Sequence, residues 1–272
     1  MVIFPKAKIN IGLRITGKRD DGYHDLQTIF YPVPLCDALE FVVPAGKTGS
    51  DTLATTGLPV SCNIDSNLII KVLHKLRERY SIPFLSIHLH KNIPTGAGLG
   101  GGSSDAACFL KTLNRYFNLQ ISAKEIKEIS LTIGSDCPFF IEGIPSYGEG
   151  RGEILTPLRA LSPGLYLVLV NPGINISTRE AYAGCIPYKN DSLLTDYYHR
   201  DISEWKDKIV NDFEVTLFKI HPPLGKIKDT LYNMGAVYSS MSGSGSTVYG
   251  IFRNAPVIHP DLREMVIYSG LL

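Results

Sequence analysis

The sequence is short of charge imbalance: 27 Lys and Arg stand against 26 Asp and Glu, a formal net charge of +1. Without a basic surplus there is no broad field to grip a nucleic-acid backbone, so nucleic acid is not an expected partner. A locally basic pocket for a small anionic substrate stays open. Paired cysteines are also missing. Cys36, Cys62, Cys108, Cys137 and Cys185 are odd in number, widely spaced and free of any CxxC pair. That argues against a zinc site or a disulfide framework and for free thiols in a reducing cytosol. No stretch approaches the ~18 consecutive apolar residues of a membrane span. The opening Met1-Val2-Ile3-Phe4-Pro5-Lys6 lacks the charged start and long apolar run of a secretory leader. These absences predict a soluble cytoplasmic chain with no membrane partner.

What is present is ordinary globular material, 44% hydrophobic and 19% charged. Val2 to Thr16, Thr28 to Val33 and Ala38 to Val43 read as strands. Gly46 to Cys62, rich in Gly, Thr, Ser and Asp, reads as hairpins or loops. Asp65-Ser66-Asn67 offers an N-cap for a helix over Leu68 to Tyr80. Phe84 to His90 alternates as a strand. Helices follow at Asp105 to Phe117 and Ala123 to Ile133, then a buried strand at Tyr166 to Asn171. Thr178 to Cys185, Trp205 to Val210 and Pro222 to Met234 read as helices, the last ending at Gly235. Val237 to Met241 and Thr247 to Phe252 are strands around a glycine loop. Strands and helices mix without a strict βαβ repeat, so the expected class is α+β. A boundary is expected near Gly148 to Gly152, giving domains 1–155 and 156–272.

The most informative segment is Pro94-Thr95-Gly96-Ala97-Gly98-Leu99-Gly100-Gly101-Gly102-Ser103-Ser104. It lies between a strand pattern and a helical one. Glycines let backbone N–H groups approach an anion, and the following helix adds its positive end. The run is therefore expected to cradle phosphate groups. It is not a Walker A loop, because no Gly-Lys-Ser/Thr follows. A second loop, Ser242-Gly243-Ser244-Gly245, is by itself as compatible with a small-residue hairpin as with a ligand loop. Asp105 is read as a solvent-facing first-turn acid at least as readily as a metal ligand. His88 and His90 sit at i and i+2 without a third ligand at useful spacing, and are read as structural.

Three segments, Pro5-Lys6-Ala7-Lys8-Ile9-Asn10, the run from Pro94 to Ser104, and Ser242-Gly243-Ser244-Gly245, together resemble the GHMP kinase superfamily of small-molecule kinases. Further pieces resemble the branch that phosphorylates the 2-hydroxyl of 4-diphosphocytidyl-2-C-methyl-D-erythritol in the non-mevalonate route to isoprenoid precursors. They are Gly17-Lys18-Arg19-Asp20-Asp21-Gly22-Tyr23-His24, Ile133-Gly134-Ser135-Asp136-Cys137-Pro138-Phe139-Phe140 and Asn211-Asp212-Phe213-Glu214. The resemblance implies a two-domain GHMP kinase fold, α+β, with the active site in a cleft between the domains. It implies ATP and Mg²⁺, and a cytidine diphosphate sugar alcohol as substrate.

The resemblance also assigns roles. From spacing alone Asp136 reads as a cap or turn residue; the family match makes it the general base. Lys6 and Lys8 share a strand face, and the match selects Lys8 as the catalytic cation, with Asn10 on the same face for substrate. Tyr23 and His24, ordinary surface if taken alone, are implied to hold the cytosine, with Thr178 and Tyr182 as a second wall. Asn67 and Lys91 are implied on the adenine side. Metal ligands are unassigned, with Ser104 and Asp105 as candidates. Two other readings remain: a homoserine or mevalonate type kinase of the same superfamily, or a nucleotide-binding sensor without catalysis. Tyr23, His24 and Tyr182 speak against the first, and Lys8 with Asp136 against the second.

Overall fold

The structure is a computed structural model and describes residues 1–45, 49–60, 63–185 and 193–272. Cys62 and part of the segment expected as hairpins or loops from Gly46 lie outside the described residues. The chain divides into two compact units. One holds residues 1–7, 35–95 and 100–143; the other holds residues 8–34, 96–99 and 144–272.

The first unit combines one sheet with helices. Its strands are β1 (Val2–Ile3), then β4 (Ala38–Val42), β5 (Thr52–Gly57) and β6 (Ser86–Lys91), in the order β1-β4-β6-β5. Strand β5 runs parallel to β6 and β4 antiparallel to it. The strict alternation of β6, buried at Ile87 and Leu89 and exposed at His88 and His90, gives the sheet one dry and one wet face. Its helices are α1 (Leu68–Arg77), α2 (Gly101–Tyr116), α3 (Ala123–Ile133) and α4 (Cys137–Glu142); on the dry face Phe41 of β4 meets Phe109 of α2 edge to face at 5.5 Å. Helix α1 starts where its cap demands, with the Asn67 side chain accepting from Ile69 N at 3.0 Å.

The second unit has two four-stranded sheets. In one the order is β2-β3-β7-β8, with β2 (Lys6–Lys18), β3 (His24–Cys36), β7 (Ser146–Glu149) and β8 (Ile154–Pro157). In the other the order is β10-β11-β9-β12, with β9 (Tyr166–Val170), β10 (Tyr238–Met241), β11 (Val248–Phe252) and β12 (Val266–Leu271). Helices α5 (Thr178–Ala183), α6 (Thr195–Tyr198), α7 (Phe213–Ile220) and α8 (Pro222–Asn233) complete it. Its core gathers Leu13 and Ile15 of β2, Val168 and Val170 of β9, and Leu217, Leu224, Ile227 and Leu231 of the last two helices.

Three expectations are corrected. Within the segment read as hairpins or loops, Thr52–Gly57 is a strand paired in parallel with β6; it is an edge strand, mostly exposed, so it shows no apolar alternation. Helix α2 begins at Gly101, inside the glycine run and four residues before Asp105. Trp205 to Val210 is not a helix: a 3₁₀ turn at Ile202–Glu204 ends there, and Asp207 takes a positive φ of 62°. Trp205 is nonetheless fully buried, stacked on Tyr198 at 5.5 Å and edge-on to Tyr238, so its neighbourhood is apolar for packing rather than for a helical stripe. Among the described residues no helix is long and apolar enough to cross a membrane.

Candidate active site

The glycine run behaves as a cradle in its backbone. Gly96, Gly98 and Gly100 take φ of 67°, 76° and 68°, alternating with Ala97 and Leu99, which are buried anchors. Gly98 has no alternative: a Cβ there would lie 1.9 Å from Ser242 O. Ser104 N is bonded back to Gly100 O at 2.9 Å. The N–H groups of Gly101, Gly102 and Ser103, just before it, are the orphan donors of a helix start, carrying the positive end of a 16-residue helix.

Beneath that helix start lies a buried ion cluster. Lys91, 4% exposed, donates to Asp37 and, at 2.9 Å, to Asp105. A Cβ on Gly101 would lie 3.2 Å from the Lys91 ammonium. Burial works against the charge of Lys91, but Asp105 and Asp37 more than offset it and hold its pKa above the ordinary lysine range. Burial pushes Asp105 up to about 7, against the pull of Lys91. Its Oδ1 is buried with no hydrogen-bond partner. Asp105 is thus not the solvent-facing acid expected, and Lys91, expected beside adenine, spends its ammonium on two carboxylates. Ser104 is likewise committed: its hydroxyl donates to Lys6 O at 2.6 Å. Ser103, half-buried, is the less committed of the two hydroxyls.

Asp136 stands at the head of α4, half-buried, and its side chain does not cap the helix. The capping role that spacing suggested is therefore not what this carboxylate does. The Gly134–Cys137 turn abuts the first turn of α2: a Cβ on Gly134 would be 3.6 Å from Ser103 Oγ and 3.3 Å from Cys137 Sγ. The carboxylate thus belongs to the turn that abuts the cradle helix. Burial pushes Cys137 up to about 12, so that thiol stays protonated and inert.

Lys8 is 4% exposed and fixed from several sides. Its ammonium donates to Asn10 Oδ1 at 2.5 Å and Gly98 O at 3.0 Å, and lies 5.4 Å over the Phe30 ring. Asn10, expected to face substrate, has its amide engaged at both ends: Nδ2 donates to Thr28 Oγ1 at 2.9 Å. Its backbone is gripped too. Asn10 N donates to Ser242 Oγ at 3.1 Å, and Tyr249 donates to Asn10 O at 2.9 Å. Ser242 in turn donates to Gly98 O at 2.8 Å.

The second glycine loop is the bracket of this arrangement. Ser242, Ser246 and Thr247 are buried. Asn211 Nδ2 donates to Met241 O and Gly243 O, both at 2.8 Å, and Glu214 accepts from Ser240 Oγ and Met241 N. Ser242, Tyr249, Asn211, Glu214 and Thr28 were given no role by sequence reasoning. Their partners lie up to 239 residues away, and no local pattern announces such a pairing.

Of the residues expected at the pyrimidine, His24 and Tyr182 meet directly, stacked at 4.6 Å with planes 21° apart. Tyr182 also meets Phe213 edge to face at 4.9 Å. Tyr23 is 56% exposed, with the Arg151 guanidinium 4.8 Å over its ring. Thr178, exposed in the first turn of α5, shares a helical face with Tyr182 four residues on.

Comparison with known proteins decides the family. Residues 67–143 match the GHMP kinases N terminal domain and residues 193–264 the GHMP kinases C terminal domain. The chain belongs to the GHMP kinases. The expected boundary at 155/156 falls between the two matched segments, whereas the compact units interleave along the chain. A protein of Parabacteroides distasonis, named 4-diphosphocytidyl-2-C-methyl-D-erythritol kinase, is 48% identical over 93% of this chain and 92% of its own. A crystal structure of 4-(cytidine 5'-diphospho)-2C-methyl-D-erythritol kinase superposes with a TM-score of 0.79 at 30% identity, covering 100% of this chain and 98% of the other. The mevalonate kinase of Methanococcus jannaschii shares the GHMP fold alone, with a TM-score of 0.64 at 14% identity over 93% of this chain and 90% of its own.

Proposed function

We propose that this GHMP kinase transfers the γ-phosphoryl group of ATP to the 2-hydroxyl of 4-diphosphocytidyl-2-C-methyl-D-erythritol, giving the 2-phosphate and ADP in the non-mevalonate route to isoprenoid precursors. The observation that carries the substrate is the near-full-length kinship, 48% identity over 93% of the chain, with a kinase of that name. The setting is the cytoplasm, where ATP is at hand.

The chemistry is positioning and charge neutralisation, as phosphoryl transfer requires. The run from Pro94 to Ser104 turns its amides and the start of α2 to the phosphates, with Asn67 on the nucleotide side. Lys8, dry and held at 2.5 Å by Asn10, supplies a fixed positive charge that costs no reorganisation during the reaction. Asp136 accepts the proton of the substrate hydroxyl as general base. At the pyrimidine, the base takes the place of His24 against Tyr182, and the freed imidazole meets its polar edge; Tyr23 and Thr178 flank it. Mg²⁺, when bound, neutralises phosphate charge. Among the described residues no three His, Cys, Asp or Glu side chains gather to hold a metal, which fits an ion carried mainly by the nucleotide's phosphates. Ser103 is the hydroxyl available to it, since Ser104 and Asp105 are committed elsewhere.

The deciding assay is ADP release from Mg-ATP with the diphosphocytidyl sugar alcohol, against homoserine and mevalonate in parallel. Turnover with either of the latter alone would overturn the substrate. Asp136→Asn should lower turnover by about 10²-fold or more with ATP binding intact; near wild-type turnover would remove Asp136 as the base.

A further inference from the structure

His88 and His90 lie on β6 two residues apart, so their rings leave the same face of the strand. That face is wet: both histidines are exposed, while Ile87 and Leu89 are 2% and 1% exposed. Thr56 of the neighbouring β5 stands between the two rings. Its hydroxyl oxygen is 2.9 Å from His88 Nε2 and 3.0 Å from His90 Nδ1. A hydroxyl has a single proton to give, so it satisfies both contacts only by donating to one ring and accepting from the other. Two imidazole nitrogens thus converge on one oxygen-sized volume. From the other side, Glu40 of β4 is the direct partner of His88 in the antiparallel ladder and is exposed on the same face. Directly opposed residues hold their Cβ atoms about 4.5–5.5 Å apart, which puts a negative charge beside the pair. None of these side chains has a part in the kinase chemistry above.

We propose that His88 and His90 form a two-imidazole site for a divalent transition-metal ion of the Zn²⁺ or Ni²⁺ type. Neutral imidazole suits these ions. The pleat fixes both rings on one face, so once one nitrogen binds, the second is present at high effective concentration. The ring that donates to Thr56 moves its proton to its other nitrogen, which frees a lone pair for the metal with no net proton released. Water completes the coordination. The sequence offered no third ligand along the chain; the sheet instead brings the Thr56 hydroxyl from the neighbouring strand.

The test uses full-length protein without an affinity tag, titrated calorimetrically with ZnCl₂ or NiCl₂ alone and melted with and without metal. Wild type should bind one ion per chain and melt at a higher temperature when loaded, because the ion binds the folded state. His88→Ala and His90→Ala should each weaken binding by about 10²-fold while keeping kinase turnover and the metal-free melting temperature. His74→Ala, which removes a lone exposed histidine of α1, should bind as wild type does. An absence of saturable binding, or binding that survives both single substitutions, would overturn the site.

Discussion

The two glycine-rich loops look alike in sequence and differ in what their atoms do. The first keeps its backbone open: Thr95, Gly96 and Gly102 are exposed, and the amides at the start of α2 have no partner within the helix. The second is buried, and its hydroxyls and carbonyls are already bonded to Asn10, Gly98, Ile174 and Asn211. Glycine serves opposite ends in the two. In one it bares a backbone for a ligand; in the other it lets two backbones touch. A glycine motif therefore says little until the state of its amides is known.

The seam between the loops is where that contrast breaks most visibly. Gly98→Ala places a methyl 1.9 Å from Ser242 O on a residue with φ of 76°. The left-handed conformation alone costs about 1–2 kcal/mol, and the clash adds to it. Loss of cooperative melting or of nearly all turnover is expected. Gly102→Ala, whose Cβ would sit 3.9 Å from Leu68 Cδ1, should melt as wild type does. Equal behaviour of the two variants would refute the division of labour.

A hydroxyl deletion in each loop separates the roles more finely. Ser242→Ala strips Asn10 N of its acceptor and should cost about 1–3 kcal/mol of stability, with lower kcat and an unchanged KM for ATP. Ser103→Ala should do the reverse, raising KM for ATP with little change in melting. Tyr249→Phe, which removes only the hydroxyl on Asn10 O, should cost about 1 kcal/mol and a few-fold in kcat. A Tyr249→Phe enzyme with full kcat would show that Lys8 does not depend on this bond.

The smallest effect concerns the cluster under the first loop. Asp105 has its pKa raised to about 7, chiefly by burial. The folded state thus holds a proton that the unfolded chain has lost, and stability is highest below the unfolded pKa. It falls as pH rises through about 7. Wild-type melting temperature should decline between pH 5 and pH 8, and Asp105→Asn should flatten that decline. An identical pH profile for the two proteins would contradict the assignment.

Much of this was readable beforehand, and the failures share a cause. Helix α3 runs over Ala123–Ile133 as its periodicity requires, and Asn67 caps α1 because an asparagine before an apolar stripe has a local bond to make. The start of α2 was hidden because glycines are poor helix formers, yet here Gly101 packs against Ile93 where a Cβ would come within 2.9 Å. At the site, Lys8 and Asn10 were visible as neighbours on one strand face. Ser242 and Tyr249 were not, because the bonds that make them matter close only across most of the chain. The commitment of Lys91 and Asp105 to each other was hidden for a related reason: burial, not residue type, made them a pair.

The grip on Asn10 also sets a schedule. A ribosome delivers residue 10 first, and the Ser242 and Tyr249 side chains that hold it come 232 and 239 residues later. Until the C-terminal hairpin emerges, the strand bearing Lys8 lacks both bonds to its backbone at residue 10. The nascent chain is a kinase in sequence long before it is one in geometry, because the lysine's strand waits on partners that follow it by 232 and 239 residues.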